Sequence, residues 1–298
     1  MEFPIIDGIP VLVMDPRAFL NNSKHHVLLR HDLPDMLVGM VGDALGPGSD
    51  LDTTRQHLSL YAGTHFSDWS EQGGAAQVPA ILNAGWPALP DTDGPAIDLG
   101  TSVGRGTWEL AARRAGPVVG ADLNFSMLQL GQQLLLQGHA TYPQRRVGMV
   151  FDPVEVTLPG ELATDQVDLW AMDCMALPFQ SGQFAMAAAL NLVDCIPGPT
   201  DMIAETARVL ALGAGALFTT PYDWSPAATD PVGWMGGHSQ RGPLGGAAEP
   251  VLAATLTQYG LHPLAESHDV PWEIRVHARS TMQYQLHMVA CQRSGESR

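Results

Sequence analysis

Three aspartates stand where a strand-like run gives way to a loop. Asp98 closes "AIDLG", Asp122 closes "PVVGADL" and Asp173 closes "VDLWAMD". After Asp98 comes "GTSVGRG", a turn of small residues in which backbone N–H groups can approach a ligand closely, the role that favours glycine. Gly100, Gly104 and Gly106 supply that freedom. The dinucleotide fingerprint G-x-G-x-x-G fails, because the third and sixth positions counted from Gly100 are Ser102 and Arg105. A pyrophosphate would be poorly served beside the Asp98 carboxylate. A ligand with an amino group, a sulfonium and a ribose would be well served. Asp122 can accept two ribose hydroxyls, and Asp173 is placed to meet an adenine amino group.

The elements that must position these groups alternate. "PAIDLG", "PVVGADL", "VDLWAMD", "GQFAMAAALNLVD" and "GALFTTP" read as strands. "RGTWELAARRA", "FSMLQLGQQLLLQ", "PTDMIAETARVL" and "AAEPVLAATLTQYG" read as helices, the third with Thr200 as its expected N-cap. "RVGMVF" and "VEVTL" are expected to form an inserted hairpin. Such alternation implies an α/β fold, Rossmann-like, with a mostly parallel sheet and helices on both faces. The last two strands, around "PWEIRVHA" and "MQYQLHMVACQ", have no helix between them and must pair antiparallel. Upstream, Asp7-Gly8 inside "FPIIDGIPVLV" signals a small β-hairpin. "TTRQHLSLYAGTHFSDW" reads as a helix. We expect an N-terminal hairpin and helix segment over residues 1–48 and one domain over 49–298, with a lid insertion at about 221–247.

The ligand these groups suit is S-adenosylmethionine. Residues 94–220 resemble, in order, the class I SAM-dependent methyltransferases. The resemblance implies a cofactor site of Asp98, Gly100, Thr101, Ser102 and Gly104 in the loop, Asp122 and Leu123 after the second strand, Asp173 and Cys174, and Asn191. The flanks resemble more narrowly the mercaptohistidine N-methyltransferase domain of ovothiol biosynthesis. That domain's Pro-Tyr-x-Trp, Trp-x-Gly-Gly and Pro-Phe-x-Ile-Arg segments are matched by Pro221-Tyr222-Asp223-Trp224, Trp234-Met235-Gly236-Gly237 and Pro271-Trp272-Glu273-Ile274-Arg275. "YAGTHFSDW" is similar to the helix preceding the loop there, and the family also carries a small residue where Ser102 stands. Its Asn-Leu-x-Asp-Arg segment departs here to Asn191-Leu192-Val193-Asp194-Cys195. "FPIIDGIPVLV" stands where that family carries a sulfoxide synthase, and it resembles the small activator of tRNA methyltransferases without its cysteines.

The resemblance implies catalytic roles for Tyr61 and His65, four apart on one helical face, and for Asp194, a candidate holder of an acceptor ammonium. The acceptor would meet Tyr222, Trp224 and Trp234 in the long loop, and Arg275, whose fork suits a carboxylate. Expected is methyl transfer to a small amino-acid-like or heterocyclic acceptor by in-line displacement. The alternatives are SAM-consuming cyclisation or aminocarboxypropyl transfer releasing methylthioadenosine, and a non-catalytic SAM- or partner-binding module.

Composition bounds the partners. The chain has 298 residues, 31 Asp and Glu against 15 Lys and Arg, and a net charge of −16, a field that repels nucleic acid. Cys174, Cys195 and Cys291 form no C-x-x-C pair, and no histidine spacing proposes a metal site. His25 and His26 are expected at the surface. The first residues include Glu2, Pro4, Asp7 and Pro10 and lack a signal-peptide pattern, and no uncharged apolar run suits a membrane span. A cytoplasmic enzyme without membrane or nucleic-acid partners is therefore expected, its oligomeric state open.

Overall fold

The structure is a computed structural model that describes residues 3–22, 33–71, 73–162 and 164–295, so His25 and His26 lie outside the described residues. Its centre is a nine-stranded sheet. In chain order the strands are β1 (Ile5–Ile6), β2 (Ile9–Leu12), β3 (Ala96–Leu99), β4 (Val118–Asp122), β5 (His139–Val147) and β6 (Val150–Thr157). There follow β7 (Val167–Met172), β8 (Phe184–Leu190), β9 (Leu210–Thr220), β10 (Leu261–His277) and β11 (Ser280–Arg293). The main sheet runs β1-β2-β7-β4-β3-β8-β9-β11-β10, and β5 and β6 pair separately. Neighbours from β2 through β9 are parallel, whereas β11 is antiparallel to both β9 and β10. This is the Rossmann-like α/β fold with an antiparallel closing strand.

The helices are α1 (Pro16–Asn22), α2 (Asp35–Leu45), α3 (Asp50–His65) and α4 (Gln77–Gly85), then α5 (Arg105–Arg113), α6 (Phe125–Gln137), α7 (Pro199–Val209) and α8 (Glu249–Gln258). Apolar residues of the central strands alternate between the two faces. Ile97 and Leu99 of β3 join the core under α7 and α8, beside Met202, Ile203, Leu252 and Leu256. Ala96, next along the same strand, joins the opposite core with Val78, Ile81 and Leu82 of α4. A sheet covered on both faces needs no polar face, so its strands read as nearly unbroken apolar runs.

The amino-terminal hairpin forms as expected. Asp7 (φ 51) and Gly8 (φ 78) turn the chain between β1 and β2, as a two-residue primed turn requires. The hairpin is seated on the sheet edge. Val11 pairs with Ala171 of β7, and Ile9 and Val11 are fully buried with Phe125 and Leu128 of α6. Two local expectations change. The turn of the inserted hairpin falls inside "RVGMVF", where Val147 faces Val150 and Gly148 has φ 55, so β5 begins far earlier, at His139. Helix α7 starts at Pro199 with Gly198 before it and no side-chain cap, because proline at the first helical turn places Thr200 inside the helix.

Candidate active site

A cavity of about 480 Å³ opens at the carboxyl ends of β3, β4, β7 and β8, where ligands of such sheets bind. Its floor is the turn after β3. Gly100, Thr101 and Ser102 line it, with Asp98 beneath them. Asp98 is 2% exposed, and Thr107 donates to it through Oγ1 at 3.0 Å. Among the described residues, no cationic side chain pairs with it. Burial pushes its pKa up to about 6, against the pull of the Thr101 and Thr107 hydroxyls. Helix α5 can pass this close because Gly106 has no side chain; a Cβ there would stand 2.5 Å from Asp98 Oδ2.

Asp122, at the end of β4, also lines the cavity. Its Oδ2 accepts the Ser102 N–H at 2.8 Å and its Oδ1 accepts the Asn124 N–H at 2.7 Å, leaving each oxygen a further lone pair. Burial raises its pKa. Ser102 holds the left-handed φ of 56 that aims its N–H at Asp122. Leu123 and Cys174 line the same end.

Helix α3 and the β10–β11 pair form the opposite wall. Tyr61 and His65 project from α3, Trp272 and Ile274 from β10, and Tyr284 from β11. His65 packs edge-on to both Tyr61 and Trp272, at centroid distances of 6.3 and 5.8 Å. Burial, helped by the Arg105 charge, lowers its pKa to about 3, so the imidazole is neutral. Its Nδ1 is buried without a hydrogen-bond partner. Burial raises the Tyr61 pKa, and the nearby Cys195, Asp122 and Asp194 add to the shift, so the phenol stays a donor.

The loop after β8 closes the third side. Asn191 (φ 55) accepts the Thr219 hydroxyl on Oδ1 at 2.9 Å. Asp194 is 1% exposed with both oxygens engaged: Thr220 donates to Oδ1 at 3.1 Å and the Asp223 N–H to Oδ2 at 2.6 Å. It thereby holds the segment after β9 against the cavity. Asp223 itself lines the cavity and accepts the Tyr284 hydroxyl at 2.8 Å.

Six expected residues do not line this cavity. Gly104 (φ 93) precedes the first turn of α5 and packs on Trp108, where a Cβ would meet the ring at 2.8 Å. Asp173 folds back to accept the Met175 N–H at 2.9 Å. Trp224 and Trp234 stack on each other, with centroids 5.9 Å apart and planes 13° apart. Trp234 donates to the Thr229 carbonyl at 2.8 Å, and Thr229, fully buried, donates to the Ile196 carbonyl. These aromatics pin the loop to the core. Tyr222 turns to His287, its hydroxyl 2.6 Å from Nδ1. Arg275 follows Ile274 on β10, and strand alternation sends it to the opposite face.

Trp272, Tyr284, Asp223 and Cys195 line the cavity and were not selected from sequence. Trp272 and Asp223 fall within the matched segments, close in sequence to Arg275 and Trp224. Arg105 was seen only as the residue that breaks a fingerprint. It is 2% exposed and forms a bidentate pair with Asp68, a second pair with Glu109, and a hydrogen bond to the His65 carbonyl at 2.9 Å. Its guanidinium lies 4.1 Å from the Trp69 ring centroid. Arg105 thus locks the end of α3 onto the turn after β3.

No protein-family model matches the chain, and no curated protein matches it in sequence. Solved structures resemble it in architecture. A SAM-dependent methyltransferase from Methanosarcina mazei is 17% identical, over 68% of this chain and 94% of that one, with a TM-score of 0.46. A geranyl diphosphate methyltransferase solved with SAM is 16% identical, over 73% and 84%, with a TM-score of 0.47. The cyclase SpnF is 13% identical, over 73% and 79%, with a TM-score of 0.46. At these values function rests on the chemistry of the cavity. Among the described residues, no helix is long and apolar enough to cross a membrane.

Proposed function

We propose that this chain binds S-adenosylmethionine and directs methyl transfer to a small amino-acid-like or heterocyclic acceptor. The observation that carries the proposal is the pairing of Asp98 and Asp122 in one cavity. Asp98 has no cationic partner among the described residues, and Asp122 keeps acceptor capacity on both oxygens. A ligand with an ammonium and a vicinal diol, all donors, fits that pair of acceptors; one with a pyrophosphate does not. The volume, about 480 Å³, lies in the range of roughly 300–1,000 Å³ typical of small-ligand sites.

Asp98 would hold the amino group and Asp122 the ribose hydroxyls, with Ser102 fixing Asp122. Leu123, Met172 and Cys174 would border the base. Asn191 and Tyr61 would border the methionine end. Bound there, the cofactor supplies a methyl group already activated on a sulfonium. The protein's task is then alignment and exclusion of water. The acceptor would lie against His65, Trp272, Ile274 and Tyr284, with Asp223 at the rim for a cationic group. Asp194 acts by holding Asp223.

Isothermal calorimetry with SAM tests the first step. Mass spectrometry with thiohistidine, histidine and amino-acid acceptors tests the second. S-adenosylhomocysteine formed with a methylated acceptor is expected. Methylthioadenosine formed without an acceptor would replace methyl transfer by the cyclising or aminocarboxypropyl reading. Absence of SAM binding would remove all of these.

A further inference from the structure

We propose that Glu266, His268 and His287 form a binding site for one divalent transition ion of the zinc type, between the β10–β11 pair and the start of the long loop. The ligand-capable atoms of the three residues lie within 4.8 Å of one another. His287 Nε2 stands 3.6 Å from Glu266 Oε1. That nitrogen is buried with no hydrogen-bond partner, in a residue only 4% exposed. A buried ring nitrogen facing a carboxylate and a second imidazole is a donor set suited to a cation.

The backbone explains the meeting. Ser267 pairs with Met288 and Val270 pairs with Leu286, so His268 and Asp269 together oppose His287. Such a bulge re-aims the side chain of the extra residue. Here the His268 ring lies parallel to the His287 ring, with centroids 4.8 Å apart and planes 2° apart. Glu266 pairs with Val289, which makes it the diagonal neighbour of His287 on the same sheet. Donors around a tetrahedral Zn²⁺ at about 2.1 Å stand roughly 3.4 Å apart. Glu266 and His268 are exposed, so rotation of their side chains closes the remaining gap.

Two histidines and a carboxylate suit zinc and leave a position for water. The far nitrogen of His287 already has the orienting partner that metal-bound histidines use, the Tyr222 hydroxyl at 2.6 Å. With Nε2 on the ion, Nδ1–H donates to Tyr222. Tyr222 holds a left-handed φ of 56 between Pro221 and Asp223, both of which line the cavity. The ion would therefore clamp the segment that carries Asp223, and it needs no part in the proposed methyl transfer.

The test is Zn²⁺ binding by tag-free protein. Metal content after dialysis gives stoichiometry, calorimetry gives affinity, and Co²⁺ substitution gives visible bands that report the ligand geometry. One ion per chain is expected. H268A and E266Q alter exposed side chains and should each weaken binding at least tenfold while far-UV circular dichroism stays unchanged. His139→Ala, at an exposed histidine elsewhere, should bind as the unaltered protein does. No stoichiometric Zn²⁺ binding, or equal binding by H268A, would overturn the site. Because the readout is metal binding, it stands or fails apart from SAM binding.

Discussion

Asp98→Asn should make the free protein more stable and the cofactor site worse, and the two effects can be sized separately. Folding moves the Asp98 pKa from 3.8 to about 6, chiefly by burial. At about 1.4 kcal/mol per unit, ionised Asp98 costs the folded state roughly 3 kcal/mol. The sign follows from the raised pKa. The stability is fully present below pH 3.8, where the group is protonated in both states, and is lost as pH rises through about 6. Asparagine keeps an oxygen for the Thr107 hydroxyl and never ionises. The variant should therefore melt higher than the unaltered protein at pH 8, by about 6 °C at roughly 2 °C per kcal/mol, and by only about 1 °C at pH 4. SAM affinity should move the other way. Losing a hydrogen bond to a charged group costs about 1.5–3 kcal/mol, or roughly 10- to 150-fold. Affinity of the unaltered protein should fall about tenfold per pH unit below 6, and that of the variant should stay flat. Calorimetric melting across pH 4–8 and SAM titrations at the same pH values measure both. A variant less stable at pH 8, or one that binds SAM normally, would refute the reasoning.

Three further changes probe the remaining walls. Asp122→Ala leaves the Ser102 and Asn124 N–H groups without their acceptor and removes the proposed ribose partner, so SAM affinity should drop about a hundredfold by calorimetry. Trp272→Ala removes a ring that is 7% exposed and packed on His65; melting should show a loss of about 3 kcal/mol, and the acceptor KM should rise more than that of SAM. His65→Gln should lower kcat without changing the shape of the pH–rate profile between pH 5 and 8, since the His65 pKa lies near 3. A limb near pH 6.5 that vanishes in this variant would contradict a permanently neutral imidazole.

The sheet was legible because both its faces are buried. The strands from "AIDLG" to "GALFTTP" read as apolar runs, and the helices between them forced parallel pairing. Asp98 and Asp122 were legible as well, since strand ends in such a sheet converge on one edge. The packing of the loop after β9 was not legible, for a physical reason. Trp224 and Trp234 have the residue types of a binding surface, but nothing local says that they stack on each other over Thr229. The same holds for Arg275, one residue beyond Ile274, where a one-residue step on a strand reverses the face. The Glu266, His268 and His287 cluster was invisible to spacing rules because its members come from two strands and meet only through a bulge.

Arg105 links the architecture to the proposed chemistry. It spans from the turn after β3 to Asp68, just beyond the end of α3, and donates to the carbonyl of His65 itself. The same cation that docks the helix over the cavity adds to the burial that keeps the His65 ring unprotonated. Tyr61 and Tyr284 are likewise held as phenols, the pKa of Tyr284 raised to about 12 by burial and its bond to Asp223. Asp194, which also lines the cavity, accepts one hydrogen bond on each oxygen. A neutral ring of pKa near 3 is a feeble base, and phenols that do not ionise are none. On the proposed reading, neither His65 nor the two phenols takes a proton from the acceptor, which suits one that brings its own lone pair, as a neutral imidazole nitrogen or a thiolate does. A protonated amine would need a base from elsewhere in the cavity, where His57 of α3, Asp194 and Asp223 stand. On the proposed reading, the side of the cavity formed by His65, Tyr61 and Tyr284 thus favours an acceptor that arrives already unprotonated.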